Sequence, residues 1–163
     1  NLRLLHWITA NQTWEDVTLL PVDTVNNVIC GVTNSFSVFA LAVYPQFQGF
    51  LAPINMPPAE MSVFKLKSTI PVKFRLIDPA SGLPVPDAQA TIWAVKVSNG
   101  VPDDVNEPLM STQPDGGTAF RYDPTSGQYV FNLGTRNLSR GVYRIHADIL
   151  GGLTDRWVDI AIK

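Results

Sequence analysis

Between Thr69 and Leu76 the chain alternates without a break. Ile70, Val72, Phe74 and Leu76 fall on one side, Pro71, Lys73 and Arg75 on the other. An extended strand turns successive side chains to opposite faces, so this period of two predicts a strand with one face buried. Pro71 has no N–H to give a ladder and belongs at a strand start or an edge. The same period returns in 88–97 (AQATIWAVKV), where Ala90, Ile92, Ala94 and Lys96 oppose Thr91, Trp93, Val95 and Val97. Residues 118–122 and 128–133 flank Asp123-Pro124-Thr125-Ser126-Gly127, which reads as a hairpin connection. Residues 141–149 and 156–162 form a last pair around Gly151-Gly152. No window shows a helical period, so the chain is predicted to be all-β.

Composition agrees with that reading. Charged residues make up only 16% of the 163, and 13 Pro and 11 Gly supply the turns that many short strands need. About six or seven strands are expected between Met61 and Lys163, at spacings suited to a β-sandwich. Ahead of them, residues 2–9, 14–19, 27–33 and 36–43 read as about four more strands. Residues 45–60 (PQFQGFLAPINMPPAE) are Pro-rich and lack a period. They read as an extended linker whose Phe47, Phe50, Leu51 and Ile54 pack on something. The expected organisation is the C-terminal part of a β-domain over 1–44, the linker over 45–60, and a complete module over 61–163.

About four strands in roughly 44 residues bury too little surface to offset the chain entropy they lose. Leu2, Leu4, Trp7, Phe36 and Phe39 are therefore expected to meet apolar residues outside 1–60, from another chain or an upstream fragment. The chain enters its first strand directly after Asn1, with no initiator Met or leader, as a processed or truncated polypeptide would.

Charge and hydropathy exclude several partners. A net charge of −2 with scattered Lys and Arg gives no basic stripe for nucleic acid. The apolar run Phe36–Tyr44 is far shorter than the ~18 residues needed to span a bilayer, so no membrane insertion is expected. The single Cys30 permits neither an internal disulfide nor a multi-Cys metal site. It reads either as a buried free thiol or, in an exported protein, as half of a bond to another chain.

Several ordered motifs carry a family resemblance. STIPVKFRL (68–76), FRYDPTSGQYVFNL (120–133), LSRGVYRIHADI (138–149) and RWVDIAIK (156–163) together resemble the bacterial PxKF domain, with Pro71-Val72-Lys73-Phe74 as its name motif. The resemblance implies an immunoglobulin-like β-sandwich over about 61–163, preceded here by an incomplete β-sheet segment. It also implies an exported, multidomain bacterial protein and brings no catalytic residues with it. Residues 2–42 are similar to the closing segment that precedes such modules, and to the end of ZU5-type β-domains. Ser35 stands before Phe36-Ser37 where ZU5-type self-cleavage would want a His, so cleavage there is not expected.

No other motif points to catalysis. His6 and His146 lie on predicted strands outside any triad or metal pattern, and each is expected to be satisfied by its neighbours. Asp103, Asp104, Asn106 and Glu107 offer hard oxygen donors of the kind Ca2+ takes, but without the alternating register and central Gly of an EF-hand loop. They are the one weak calcium candidate, with a solvated loop as the default. The four Trp sit on strands and are expected in cores rather than on a sugar-binding face. Tyr143, two residues after Gly141, occupies a tyrosine-corner position. The expected function is thus a non-catalytic structural or assembly module of a secreted or cell-surface bacterial protein, acting through sheet edges and faces. The alternative is a carbohydrate-binding accessory module of an extracellular enzyme, or a supporting subunit of one.

Overall fold

The computed structural model describes residues 2–103, 117–149 and 154–163. Among them every regular element is a strand, and the chain divides into two compact units, 1–46 with 78–82, and 47–77 with 83–163.

The first unit holds β1 (Leu2–Ile8), β2 (Thr13–Asp16), β3 (Thr18–Asp23), β4 (Val28–Gly31) and β5 (Phe39–Val43). β1 is the centre of a three-stranded antiparallel sheet, with β2 on one side and β5 on the other. Trp7 faces Trp14 across the first pair, and Leu4 faces Leu41 across the second. β3 and β4 form a separate two-stranded ribbon. The single strand expected over 14–19 is broken at Val17, and the cause is local. The Thr18 N–H and hydroxyl both donate to the Asp16 carboxylate, at 3.0 and 2.6 Å, which turns the chain out of β2.

The second unit holds β6 (Gln46–Phe50), β7 (Val63–Phe64), β8 (Thr69–Ile77), β9 (Ala90–Ser98), β10 (Val101–Pro102), β11 (Arg121–Asp123), β12 (Gln128–Gly134), β13 (Gly141–Ile149) and β14 (Thr154–Ile162). One sheet runs β10-β9-β13-β14-β7, antiparallel except for the short β14–β7 pair, which is parallel. The other runs β11-β12-β8-β6. The alternation of β8 survives in its burial, with Ile70, Val72, Phe74 and Leu76 all at or below 1% exposure. They share one core with Ile92 of β9, Phe131 of β12, Ile145 of β13 and Ile160 of β14. Phe74 is its aromatic hub: it stacks on Tyr129 at 5.0 Å and meets Phe120 edge-on at 4.8 Å.

Residues 45–60 depart from the linker expected there. Phe47 and Phe50 lie on β6, which joins the second unit's sheet beside β8, and Phe50 and Ile54 are buried in its core. Tyr143 does take the corner role: its hydroxyl accepts the Ser139 N–H at 3.0 Å.

Candidate functional site

The two units differ sharply in what they bury. In the first, Leu5 and His6 are the only described residues classed as buried. Ten of the fifteen large apolar side chains left exposed among the described residues belong to it. A three-stranded sheet this poorly covered leaves the largest share of exposed apolar side chains among the described residues, which makes its surface the candidate site.

Strand alternation sorts that surface. Leu2, Leu4 and His6 of β1 share a face with Phe39, Leu41 and Val43 of β5. His6 is fully buried there, under the turn that follows β4. Its Nδ1 lies 3.2 Å from Thr33 Oγ1 and its Nε2 3.0 Å from Ser37 Oγ. The Ser37 hydroxyl donates to the Trp7 carbonyl, and the Thr33 hydroxyl to the Ser35 carbonyl at 3.1 Å. Each ring nitrogen of His6 thus has a hydroxyl partner, and the Ser37 proton is directed away from the ring. Gly31 admits the close approach of Leu4: a Cβ there would stand 2.7 Å from the Val17 carbonyl oxygen and 3.0 Å from Leu4 Cδ2.

Beyond His6 the face is open. Leu41 is 63% exposed, Val43 57%, Phe39 38%, and Phe36 on the adjoining turn 97%. Leu2, Leu4 and Trp7 are half-buried. On the opposite face Trp7 packs edge-on against Trp14 at 5.3 Å, and Arg3 pairs with Asp16 at 3.2 Å.

The backbone of β5 is open on the same side. The Trp7 N–H donates to the Val38 carbonyl at 2.9 Å, which makes Trp7–Val38 a bonded pair of the antiparallel ladder. Bonded and unbonded pairs alternate, so Leu5–Ala40 and Arg3–Ala42 are bonded as well. Phe39, Leu41 and Val43 therefore turn their N–H and C=O groups away from β1, and among the described residues β1 is the only strand beside β5.

Other sheet edges are guarded. β7 and β10 have two residues, β2 carries Glu15 and Asp16, and β11 is Arg-Tyr-Asp. β3 contains Pro21, β4 ends in Gly31, and β6 holds Gly49 at φ +86°. Among the described residues β5 is the one edge strand of more than two residues with no charge, Pro or Gly. Natural edges are blunted by just those features, and β5 lacks all of them.

The remaining candidates fall elsewhere. Cys30 is exposed on β4, which removes the buried-thiol reading. Asp104, Asn106 and Glu107 lie outside the described residues, and Asp103 is exposed, with its N–H given to the Lys96 carbonyl at 2.7 Å. No Trp enters a buried core. Trp93 and Trp157 fall on the outward face of their sheet, because Ala90, Ile92 and Ala94 take the inward positions of β9. There Trp93 stacks on His146 at 3.6 Å, and Arg144 lies over Trp157 at 3.8 Å while pairing with Asp159 through two bonds. His146 is only half satisfied: Nδ1 meets both oxygens of Asp155 at 2.8 and 3.0 Å, and Nε2 is buried without a partner.

No family model matches the chain, and no curated protein matches it. Among solved structures it is similar to part of a Salmonella alpha-2-macroglobulin, seen in a crystal structure of a mutant, at 19% identity and a TM-score of 0.44. The match covers 99% of this chain and 8% of that one.

Proposed function

We propose that residues 1–46 accept a strand along β5 from a polypeptide segment outside them. In this reading the chain is a non-catalytic structural or assembly module of a secreted or cell-surface bacterial protein. The observation that carries the reading is the coincidence on one strand of outward backbone groups and exposed apolar side chains, at Phe39, Leu41 and Val43. An incoming strand would satisfy the first and cover the second, which is β-augmentation. Covering side chains that are about half exposed contributes ~1 kcal/mol each at ~25 cal/mol per Å². The two sheets of the second unit, sharing one core, support the reading of a PxKF-type immunoglobulin-like sandwich there.

A carbohydrate-binding role finds less support. It wants coplanar exposed rings, whereas Trp7 and Trp14 are inclined at 64° and Trp157 already has Arg144 over its ring.

Leu41→Lys tests the proposal, because a lysine on an edge blocks strand addition and this position is already exposed. The wild-type chain is expected to bind an apolar dye and to self-associate as concentration rises, and Leu41→Lys to do both markedly less with an unchanged melting temperature. A wild-type chain that stays monomeric and dye-free at high concentration would contradict the proposal.

A further inference from the structure

Asp148 and Asp155 stand directly opposite each other at the end of the β13–β14 hairpin where one strand passes into the other, one residue in from its last pair, Ile149–Thr154. Like charges in that position repel. Yet the surroundings hold the two carboxyl groups together. Asp148 faces Asp155 on the same side of the sheet, as their register requires. It also accepts the Trp93 Nε1–H at 3.2 Å. Asp155 takes the His146 Nδ1–H on both oxygens, and the His146 ring is clamped by its stack on Trp93.

These contacts assign different roles to the two carboxyl groups. A group that receives a donor on both oxygens acts as the ionised acceptor, and that is Asp155. Asp148 is left to hold a proton and donate it to Asp155. A proton on His146 Nε2 would instead create a buried N–H with no acceptor. No further charge intervenes among the described residues. On this face β9 offers only Thr91, Trp93, Val95 and Val97, and Arg144 is already paired with Asp159. Lys96 and Arg156 alternate to the other face.

We propose that Asp148 and Asp155, with Trp93 and His146 as fixed donors, form a proton-held clasp on the β13–β14 hairpin: closed while the carboxyl groups share a proton, loosened when it leaves. The Asp148 carboxyl is held above the usual carboxylate range by burial first, then by the negative charge of Asp155 and the hydrogen bond between them. A carboxyl that binds its proton more tightly in the folded chain stabilises the fold at low pH. That stability is lost as pH rises from ~4, the ordinary Asp value, through the raised value. The hairpin end therefore closes in acid and loosens toward neutral pH.

The test follows the Asp148 side-chain carboxyl carbon by NMR in the full chain across pH 3 to 8, together with amide exchange at Ile149 and Thr154. Exchange is compared after correction for its intrinsic pH dependence. Asp148 is expected to titrate above the ordinary range, and protection at the hairpin end to fall several-fold across the same interval. Asp148→Asn, whose amide donates to Asp155 at every pH, is expected to keep the end protected throughout. Titration of Asp148 at the ordinary Asp value would overturn the clasp, as would protection that does not change with its titration. The wild-type carboxyl signal decides even if the variant folds poorly.

Discussion

Three aspartates use one device to hold turns, and their acid response should run opposite to that of Asp148. Asp123 accepts the Ser126 hydroxyl at 2.6 Å and the Thr125 N–H at 3.0 Å. These bonds, the Ser126 side chain first, hold its carboxyl below the usual range. Asp78 is lowered chiefly by the Ala80 N–H, and Asp23 chiefly by the Asn26 side chain. A carboxyl with a depressed folded value contributes stability above its ordinary value and loses it as pH falls below ~4. Thermal melts from pH 5 to pH 2 should thus show a falling melting temperature, and Asp123→Asn should flatten part of that fall. Thr135 offers a sharper test of buried polarity. It is fully buried, and its hydroxyl oxygen accepts the Ser68 N–H at 2.9 Å. Thr135→Val should cost ~1–3 kcal/mol in urea denaturation, by removing the hydroxyl's bond to the Ser68 carbonyl and leaving the Ser68 N–H only its longer, 3.3 Å bond to the Lys65 carbonyl. None of these bonds could be read from composition, yet the turn aspartates stood in legible Asp-x-x-Ser and Asp-x-x-Asn patterns. The His146 cluster was hidden, because its members lie 9 and 55 residues apart and meet only through strand register.

Strands with a pure period were the legible ones. β8, β12, β13 and β14 follow from alternation in residues such as Ile70, Val72 and Phe74, because one face is buried and nothing local competes. β6 was hidden by its setting: Gln46–Phe50 is short, sits beside prolines, and carries Gly49 in the left-handed region. The 14–19 strand was misread because a carboxylate two residues from a threonine outbids the ladder. Packing within the second unit should be strict. Phe74→Ala, removing a fully buried ring from contact with Phe120 and Tyr129, should cost ~3–5 kcal/mol in chemical denaturation. In the first unit Gly31→Ala should weaken the seating of Leu4, seen as faster amide exchange along β1 without change in 47–163.

At the scale of the whole molecule, a well-filled second unit contrasts with a first unit in which Leu5 and His6 are the only buried residues among those described. The shortage of cover was legible in the sequence, from about four apolar strands in too short a length. The place where a partner would dock was not, since only the register reveals that Phe39, Leu41 and Val43 turn both side chains and backbone outward. Residue-resolved hydrogen exchange over β5 therefore tests the account most directly. In the isolated chain, Ala40 and Ala42 should be protected while Phe39, Leu41 and Val43 exchange freely. In the protein purified from its native source all five should be slow. Free exchange at Phe39, Leu41 and Val43 in both preparations, or equal protection of all five in the isolated chain, would contradict strand addition at this edge.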